Sequence, residues 1–312
     1  MIEVIPMANL TILSNDEVAE LITVSECIPI IENLFKNLDN SYMPPKTYLN
    51  IPNGDFRAMP AIVDNTAGIK WCGVHMDNTG TKRKINIFAK VLINDTNTGK
   101  LLAIMDGEVL TAIRTAAVTG VATKYLSRTD SKIAAFIGCG NQTKRQIEAV
   151  LAVRDIEQIF LYDLDPLRAD AIAKEFDNTH VFSDLECCLR QADIVTTLTP
   201  SRTGFIPFNF LKSRVHINAV GADAKGKREL KSDVLSNVGM IVYDEWEQCS
   251  HSGEIQYLSE CDRRPILFSL REIVGGSFNI NSTHQFISTL FDATGLAIED
   301  VVTARYIYEK IK

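Results

Sequence analysis

The 312-residue chain lacks most signatures of a membrane, metal or nucleic-acid protein. It contains no run of about 18 apolar residues, the length a bilayer-spanning helix requires. Its N-terminus carries Glu3 and no basic n-region, so no signal peptide is expected. The five histidines are scattered, with no metal-ligand spacing, and no metal is expected. Seven cysteines, at 27, 72, 139, 187, 188, 249 and 261, form no CxxC pair and are odd in number. Buried or free thiols of a cytoplasmic protein are the expectation, and the adjacent Cys187 and Cys188 read as packing residues rather than a redox pair. Cations are in deficit, 32 Lys+Arg against 39 Asp+Glu, and a net charge of −7 disfavours a polyanion-binding surface. Internal repeats and low-complexity stretches are also missing.

The hydrophobic fraction of 46% suffices to fill one large or two medium domains. Ser14-Asn15-Asp16-Glu17 reads as a capping box that opens a helix, and a second helix is expected over 26–38. Strand-like runs follow at 56–63, 69–75, 85–94 and 101–105, the last two joined by a turn at Asp95-Thr96-Asn97-Thr98-Gly99. This half resembles an antiparallel sheet. A helix over 107–126 leads into a second half that alternates strand and helix, with further β-rich runs at 194–198, 215–220 and 240–243. The segment 298–312 reads as an amphipathic helix that crosses back to the first half. The expected architecture is α/β: a Rossmann doubly wound dinucleotide-binding domain over 119–296, plus an α+β substrate and dimerisation domain from 1–118 and 297–312.

The densest motif is SKIAAFIGCGNQ, from Ser131 to Gln142. An apolar strand at 133–137 runs into Gly138-Cys139-Gly140, and Ile147, Val150 and Leu151 follow at helical spacing. A second strand at 159–162 ends on Asp163. This is the order of a dinucleotide-binding unit. Gly138 permits a tight turn and Gly140 lets the backbone approach a pyrophosphate. The N–H groups of Asn141 and Gln142 open a helix whose positive end faces that anion. Thr143 stands where the fingerprint has its third glycine. Asp163 is placed to accept bonds from a ribose 2′-OH and to repel a 2′-phosphate, which favours NAD over NADP, although Arg168 nearby weakens the preference.

A second string, Asn218-Ala219-Val220-Gly221-Ala222-Asp223-Ala224-Lys225-Gly226-Lys227-Arg228-Glu229-Leu230, together with the GCGNQ loop, resembles the ornithine cyclodeaminase/mu-crystallin family. So do Gly68-Ile69-Lys70, Asp77-Asn78, the Leu110–Ala117 string containing Arg114-Thr115-Ala116-Ala117, Asp193-Ile194-Val195-Thr196-Thr197 and Gly295-Leu296-Ala297-Ile298-Glu299-Asp300. The resemblance covers most of the chain. It implies a nicotinamide cofactor, oxidation of amino acids or reduction of imines, and a homodimer. It implies Asp223 as catalytic proton donor and acceptor, and Lys70 and Arg114 as holders of the substrate carboxylate, with Arg114 also within reach of a cofactor phosphate. Asn141, Gln142, Asp163, Thr197, Ala219, Val220, Gly221 and Lys227 would line the cofactor site. On the residues alone, Asp223 also reads as a helix cap, Lys70 as a snorkelling edge lysine, and Arg114 as a solvent or interface arginine.

Departures from the cyclodeaminases carry as much weight. Lys46 stands where they have a basic residue, usually arginine, and Arg57 where they place a glutamate that holds ornithine's distal amine. Asn86 replaces a threonine that touches the cofactor, and Ala293-Thr294 replaces a Ser-Val pair beside cofactor and substrate. Lys46, Arg57 and Lys70 together resemble the family's alanine dehydrogenases, and several cations in one pocket fit a small or acidic oxo acid better than a diamine. The expected activity is therefore that of an NAD-dependent amino-acid dehydrogenase or cyclic imine reductase, with Lys70 and Asp223 catalytic and Lys46, Arg57, Arg114 and Thr294 on the substrate. The alternatives are ornithine cyclodeaminase and a mu-crystallin-like binding protein without turnover.

Overall fold

Alternation of apolar and polar residues along long strands builds the first half of the chain. The computed structural model describes residues 10–77, 84–261, 265–277 and 287–312, without the side chains of 76, 77 and 84–86. Two compact units divide it, Met1–Arg114 with Leu296–Lys312, and Thr115–Gly295.

The first unit contains β1 (Thr11–Leu13), α1 (Asn15–Leu21), α2 (Val24–Lys36), β2 (Ser41–Tyr42), β3 (Thr47–Ile51), β4 (Gly54–Val63), β5 (Thr66–Asp77), β6 (Lys84–Asp95), β7 (Leu101–Asp106) and the start of α3 (Gly107–Leu126). The sheet order is β1-β7-β6-β5-β4-β2, with β3 also on β4. Its pairings are antiparallel except for β1, which runs parallel to β7. The expected capping box is present, with Ser14 and Glu17 exchanging hydrogen bonds. The register places Met59, Ala61, Lys70, Cys72, Ala89, Val91, Ile93 and Met105 on one face, and all are buried. The last helix of the chain, Ala297–Lys310, packs there with Val301, Ala304 and Ile307 buried. Gly68 permits that approach, since a Cβ on it would lie 2.7 Å from Val301 Cγ2. Each fully buried aliphatic side chain contributes about 1.5–3 kcal/mol. The opposite face leaves Leu49, Phe56, Ile62, Trp71 and Phe88 exposed, with Phe56 stacked on Trp71 at 5.6 Å.

The second unit continues α3 and adds β8 (Ile133–Ile137), α4 (Thr143–Val153), β9 (Gln158–Tyr162), α5 (Pro166–Ala173), β10 (Thr179–Val181), α6 (Leu185–Leu189), β11 (Ile194–Thr197), β12 (Arg202–Ile206), β13 (His216–Ala219), β14 (Arg228–Leu230), α7 (Ser232–Asn237), β15 (Met240–Tyr243), α8 (Trp246–Ser252), β16 (Ile266–Ser269), α9 (Leu270–Val274) and β17 (Thr289–Asp292). The Ala297–Lys310 helix is therefore α10. The main sheet runs β10-β9-β8-β11-β13-β17-β15-β16, parallel throughout, and β12 pairs with β14 apart from it. The strands are short and apolar because both faces are covered. Ala134 and Phe136 of β8 enter one core with Ile147 and Val150, while Ala135 and Ile137 enter the other with Val195 and Ile217. The strand order reverses between β8 and β11, which opens the loops after these strands as a ligand crevice. The central strand β17 was not among the expected strands.

No cysteine is in a disulfide, and Cys188 is buried while Cys187 is exposed. No described helix is long and apolar enough to cross a membrane.

Candidate functional site

The second unit carries a candidate dinucleotide site. Gly138 follows β8 with φ of 97°, a conformation that favours glycine, and its N–H donates to Tyr162 O at 2.8 Å. A Cβ on Gly140 would meet no atom within 4 Å, so the loop is open where a pyrophosphate would approach. Asn141 is exposed beside it and Gln142 precedes α4, whose first N–H groups lack intrahelical acceptors. Thr143, in place of a third glycine, is fully buried and donates its hydroxyl to Gly138 O at 2.8 Å, closing the turn from within. Asp163 is half-buried at the end of β9 and accepts from Cys139 N–H at 2.7 Å and Asp165 N–H at 2.8 Å. Its carboxylate thus ties the glycine loop to the next turn. These features fit an NAD pyrophosphate and ribose.

Beyond β13, Val220 and Gly221 are half-buried and lead to Asp223, whose Oδ1 accepts from Lys227 Nζ at 2.5 Å. Lys227 therefore sits on the proposed acid–base residue itself. Thr197 and Ala219, at the ends of β11 and β13, are both fully buried. Thr197 donates its hydroxyl to Glu229 Oε2 at 2.6 Å. Ala293 is likewise buried, with its N–H on Ala219 O at 3.0 Å. Thr294 is buried and donates both its N–H (2.7 Å) and its hydroxyl to Asp244.

The first unit carries a buried charge cluster. Lys70, on the inner face of β5, places Nζ 2.8 Å from Asp300 Oδ2. Arg114, on α3, donates from Nε to Asp300 Oδ1 at 2.8 Å and from Nη1 to Glu299 Oε2 at 2.7 Å. Glu299 also accepts from Leu296 N–H at 3.3 Å, at the start of α10. Burial, reinforced by the Arg114 charge, lowers the Lys70 pKa to about 8 despite Asp300. Burial works against both ions of the other pair, yet Asp300 and Glu299 raise Arg114 and the two cations lower Asp300. Lys70 is thus a buried amine poised to change charge near neutral pH, which suits it to polarise a carbonyl or move a proton.

Arg57 shares this sheet face, since it pairs with Cys72, two residues along β5 from Lys70. It is not the bare cation expected: Nε binds Asp55 Oδ1 at 2.6 Å, and the guanidinium lies 5.4 Å from the centre of the Tyr48 ring. The repulsion expected against a diamino acid is correspondingly weakened. Lys46 is half-buried between β2 and β3. The backbone of Asn86 pairs with His75, whereas its side chain, and all of Asn78, lie outside the described residues.

The sequence reading missed the buried carboxylates. Glu229, Glu254, Asp292, Asp244, Glu299 and Asp300 are all buried. For Asp300 a signal existed: it falls at helical spacing with Ala304 and Ile307, on the apolar face of α10. For Glu229 the signal was its position inside the second motif, next to Leu230.

An alanine dehydrogenase of Archaeoglobus fulgidus is 35% identical over 96% of this chain and 94% of its own length. An archaeal alanine dehydrogenase dimer with bound NAD superposes with a TM-score of 0.88 at 35% identity, covering 96% of this chain and 95% of that one. Thermococcus litoralis Δ1-pyrroline-2-carboxylate reductase, solved with NADH and L-proline, gives 0.87 at 32% identity, covering 96% and 97%. The family model matches residues 9–312, and the chain belongs to the ornithine cyclodeaminase/mu-crystallin family.

Proposed function

We propose that this protein is an NAD(H)-dependent oxidoreductase acting on the C–N bond of a small amino acid or imine, of the alanine dehydrogenase or cyclic imine reductase type. The observation that carries this reading is the Lys70–Asp300–Arg114 cluster, which holds an amine with a pKa of about 8 on the buried face of the sheet. Lys70 receives the oxo-acid or imino-acid carboxylate and polarises the reacting carbon, and Arg57 assists by exchanging its Asp55 contact for the substrate anion. Arg114 and Asp300 hold Lys70 in place. Asp223 takes or gives the amine proton, since an amino acid yields hydride only as the free amine. NAD supplies hydride acceptance and donation at its nicotinamide. Gly138, Gly140, Asn141, Gln142, Val220 and Gly221 would hold it, with Asp163 selecting against a 2′-phosphate.

We further propose a homodimer through the exposed apolar face of Phe56, Ile62, Trp71 and Phe88, a patch that water disfavours. The similarity to a dimeric alanine dehydrogenase supports this. The free thiols fit a reducing compartment, and we place the protein in the cytoplasm.

Ornithine cyclodeamination is the second reading, favoured by the Asp55 carboxylate beside Arg57, which brings an acid close to where a distal ammonium would sit. Absorbance at 340 nm separates the two. Net NADH consumption with pyruvate plus ammonium, or with pyrroline-2-carboxylate, is expected. Ammonia release from ornithine without net change in NADH would favour the second reading.

A further inference from the structure

One buried carboxylate joins the loops that follow two adjacent central strands of the dinucleotide unit. Glu229 has no accessible surface. Its Oε1 accepts from Thr199 N–H at 2.6 Å, in the loop after β11. Its Oε2 accepts from Gly221 N–H at 3.1 Å, in the loop after β13, and from the Thr197 hydroxyl at 2.6 Å. The approach to Gly221 is close enough that a Cβ there would lie 2.3 Å from Glu229 Oε2, so no side chain fits at 221 while the carboxylate is in place. Three donors and no acceptor converge on the group, a pattern that suits its ionised form. Burial opposes this and raises its pKa, while the bonds from Thr197 and Thr199 lower it.

Glu229 is itself held. Glu254 Oε1 accepts from the N–H groups of Glu229 (2.6 Å) and Leu230 (3.2 Å). Asp292, at the end of β17 beside Ala219, accepts from Glu254 N–H at 3.1 Å and Ile255 N–H at 2.9 Å. The turn beyond Gly221 is short and self-bonded: Asp223 N–H donates to Gly221 O at 3.1 Å, and Lys227 N–H to Ala224 O at 3.0 Å. Its far end is fixed by Gln256, which accepts from Gly226 N–H at 3.0 Å. Displacing Gly221 therefore displaces Asp223.

We infer that Glu229 is a positioning residue for the reaction: it sets Gly221 against Thr199 and thereby aims Asp223. The inference rests on the proposed role of Asp223. Glu229→Gln keeps the size but turns one acceptor into a donor that faces a backbone N–H or the Thr197 hydroxyl.

The test has two arms. In the first, amide hydrogen exchange is followed in the protein without cofactor or substrate. Glu229→Gln should speed exchange at Thr199 by about ten-fold, as expected for a lost charge-assisted hydrogen bond, with a smaller rise at Gly221, whose N–H also donates to Thr197 O at 3.0 Å, and leave the Gly138–Gln142 loop unchanged. In the second, kcat should fall about ten- to a hundred-fold while the Kd of NADH, by calorimetry, moves less than about three-fold. In an Asp223→Asn background the same substitution should change kcat by less than about two-fold, because its effect runs through Asp223. Unchanged exchange, or the full kcat loss persisting in Asp223→Asn, overturns the inference. If Glu229→Gln does not fold, Thr197→Val removes one donor only and must act in the same direction in both arms; no effect there also overturns it. If no substrate is turned over, the proposed function fails, and the exchange arm decides alone.

Discussion

Asp300 sits between two cations, 2.8 Å from Lys70 Nζ through one oxygen and 2.8 Å from Arg114 Nε through the other. The three residues come from β5, α3 and the C-terminal helix, so this charge cluster is complete only when the end of the chain has packed onto the sheet. Removing the shared anion leaves two buried cations with less compensation. Asp300→Ala is expected to cost about 3–5 kcal/mol of stability, read from urea unfolding midpoints. A loss under about 1 kcal/mol would mean that water reaches the cluster freely.

The Lys70 pKa gives a pH dependence. Its folded value of about 8 lies below the ordinary 10.5, so the charge is present below about 8 and lost as pH rises through it. kcat/KM for an oxo acid should fall above about pH 8, and Lys70→Arg, which stays charged, should remove that limb at reduced activity. Stability runs the other way. Between about 8 and 10.5 the unfolded chain holds a proton that the folded form has lost, so the Lys70 contribution rises with pH in that window. A pH profile of kcat/KM for both proteins checks the assignment.

Asp163 accepts from Cys139 and Asp165 and is the residue proposed to meet the ribose, so Asp163→Ala should do two things. Affinity for NADH should fall as the glycine loop loosens, and discrimination against NADPH should relax as repulsion at the 2′-phosphate disappears. Parallel Kd measurements check this. A wild-type preference for NADPH would remove Asp163 from the selectivity account.

Arg57 offers a charge swap. Arg57→Glu would set a second carboxylate beside Asp55 in place of a paired cation. A charged hydrogen bond contributes roughly 1.5–3 kcal/mol, so about ten- to a hundred-fold loss in kcat/KM for pyruvate is expected. Kinetics within about two-fold of wild type would mean that Arg57 serves only Asp55.

Local chemistry made much of this fold readable. Apolar runs bounded by Gly138 and Asp163 set out the first two strands of the parallel sheet, and the alternation along β4 to β7 marked a sheet with one covered face. The helix at Gly107–Leu126 was read to its ends. What stayed hidden depends on long-range partners. Nothing near Thr289–Asp292 announces a central strand, because its short run resembles many loops until β13 and β15 flank it. Lys70 and Arg57 were legible as cations, but their compensation by Asp300 and Asp55 was not. Counting charges along the sequence therefore overstated how positive the site is. The full burial of Thr197 and Ala219 was likewise not legible, because packing against neighbouring strands decides it.

The proposed function requires net hydride transfer between the nicotinamide and the α-carbon of a small amino acid. Its most direct measurement is deuterium transfer: the protein is incubated with NADH labelled at C4, ammonium and pyruvate, or with pyrroline-2-carboxylate, and the product is read by NMR. Deuterium at the α-carbon of alanine or proline, one per NADH consumed and abolished in Asp223→Asn, is the expected result. A protein that binds NADH yet puts no label into either product would contradict the account.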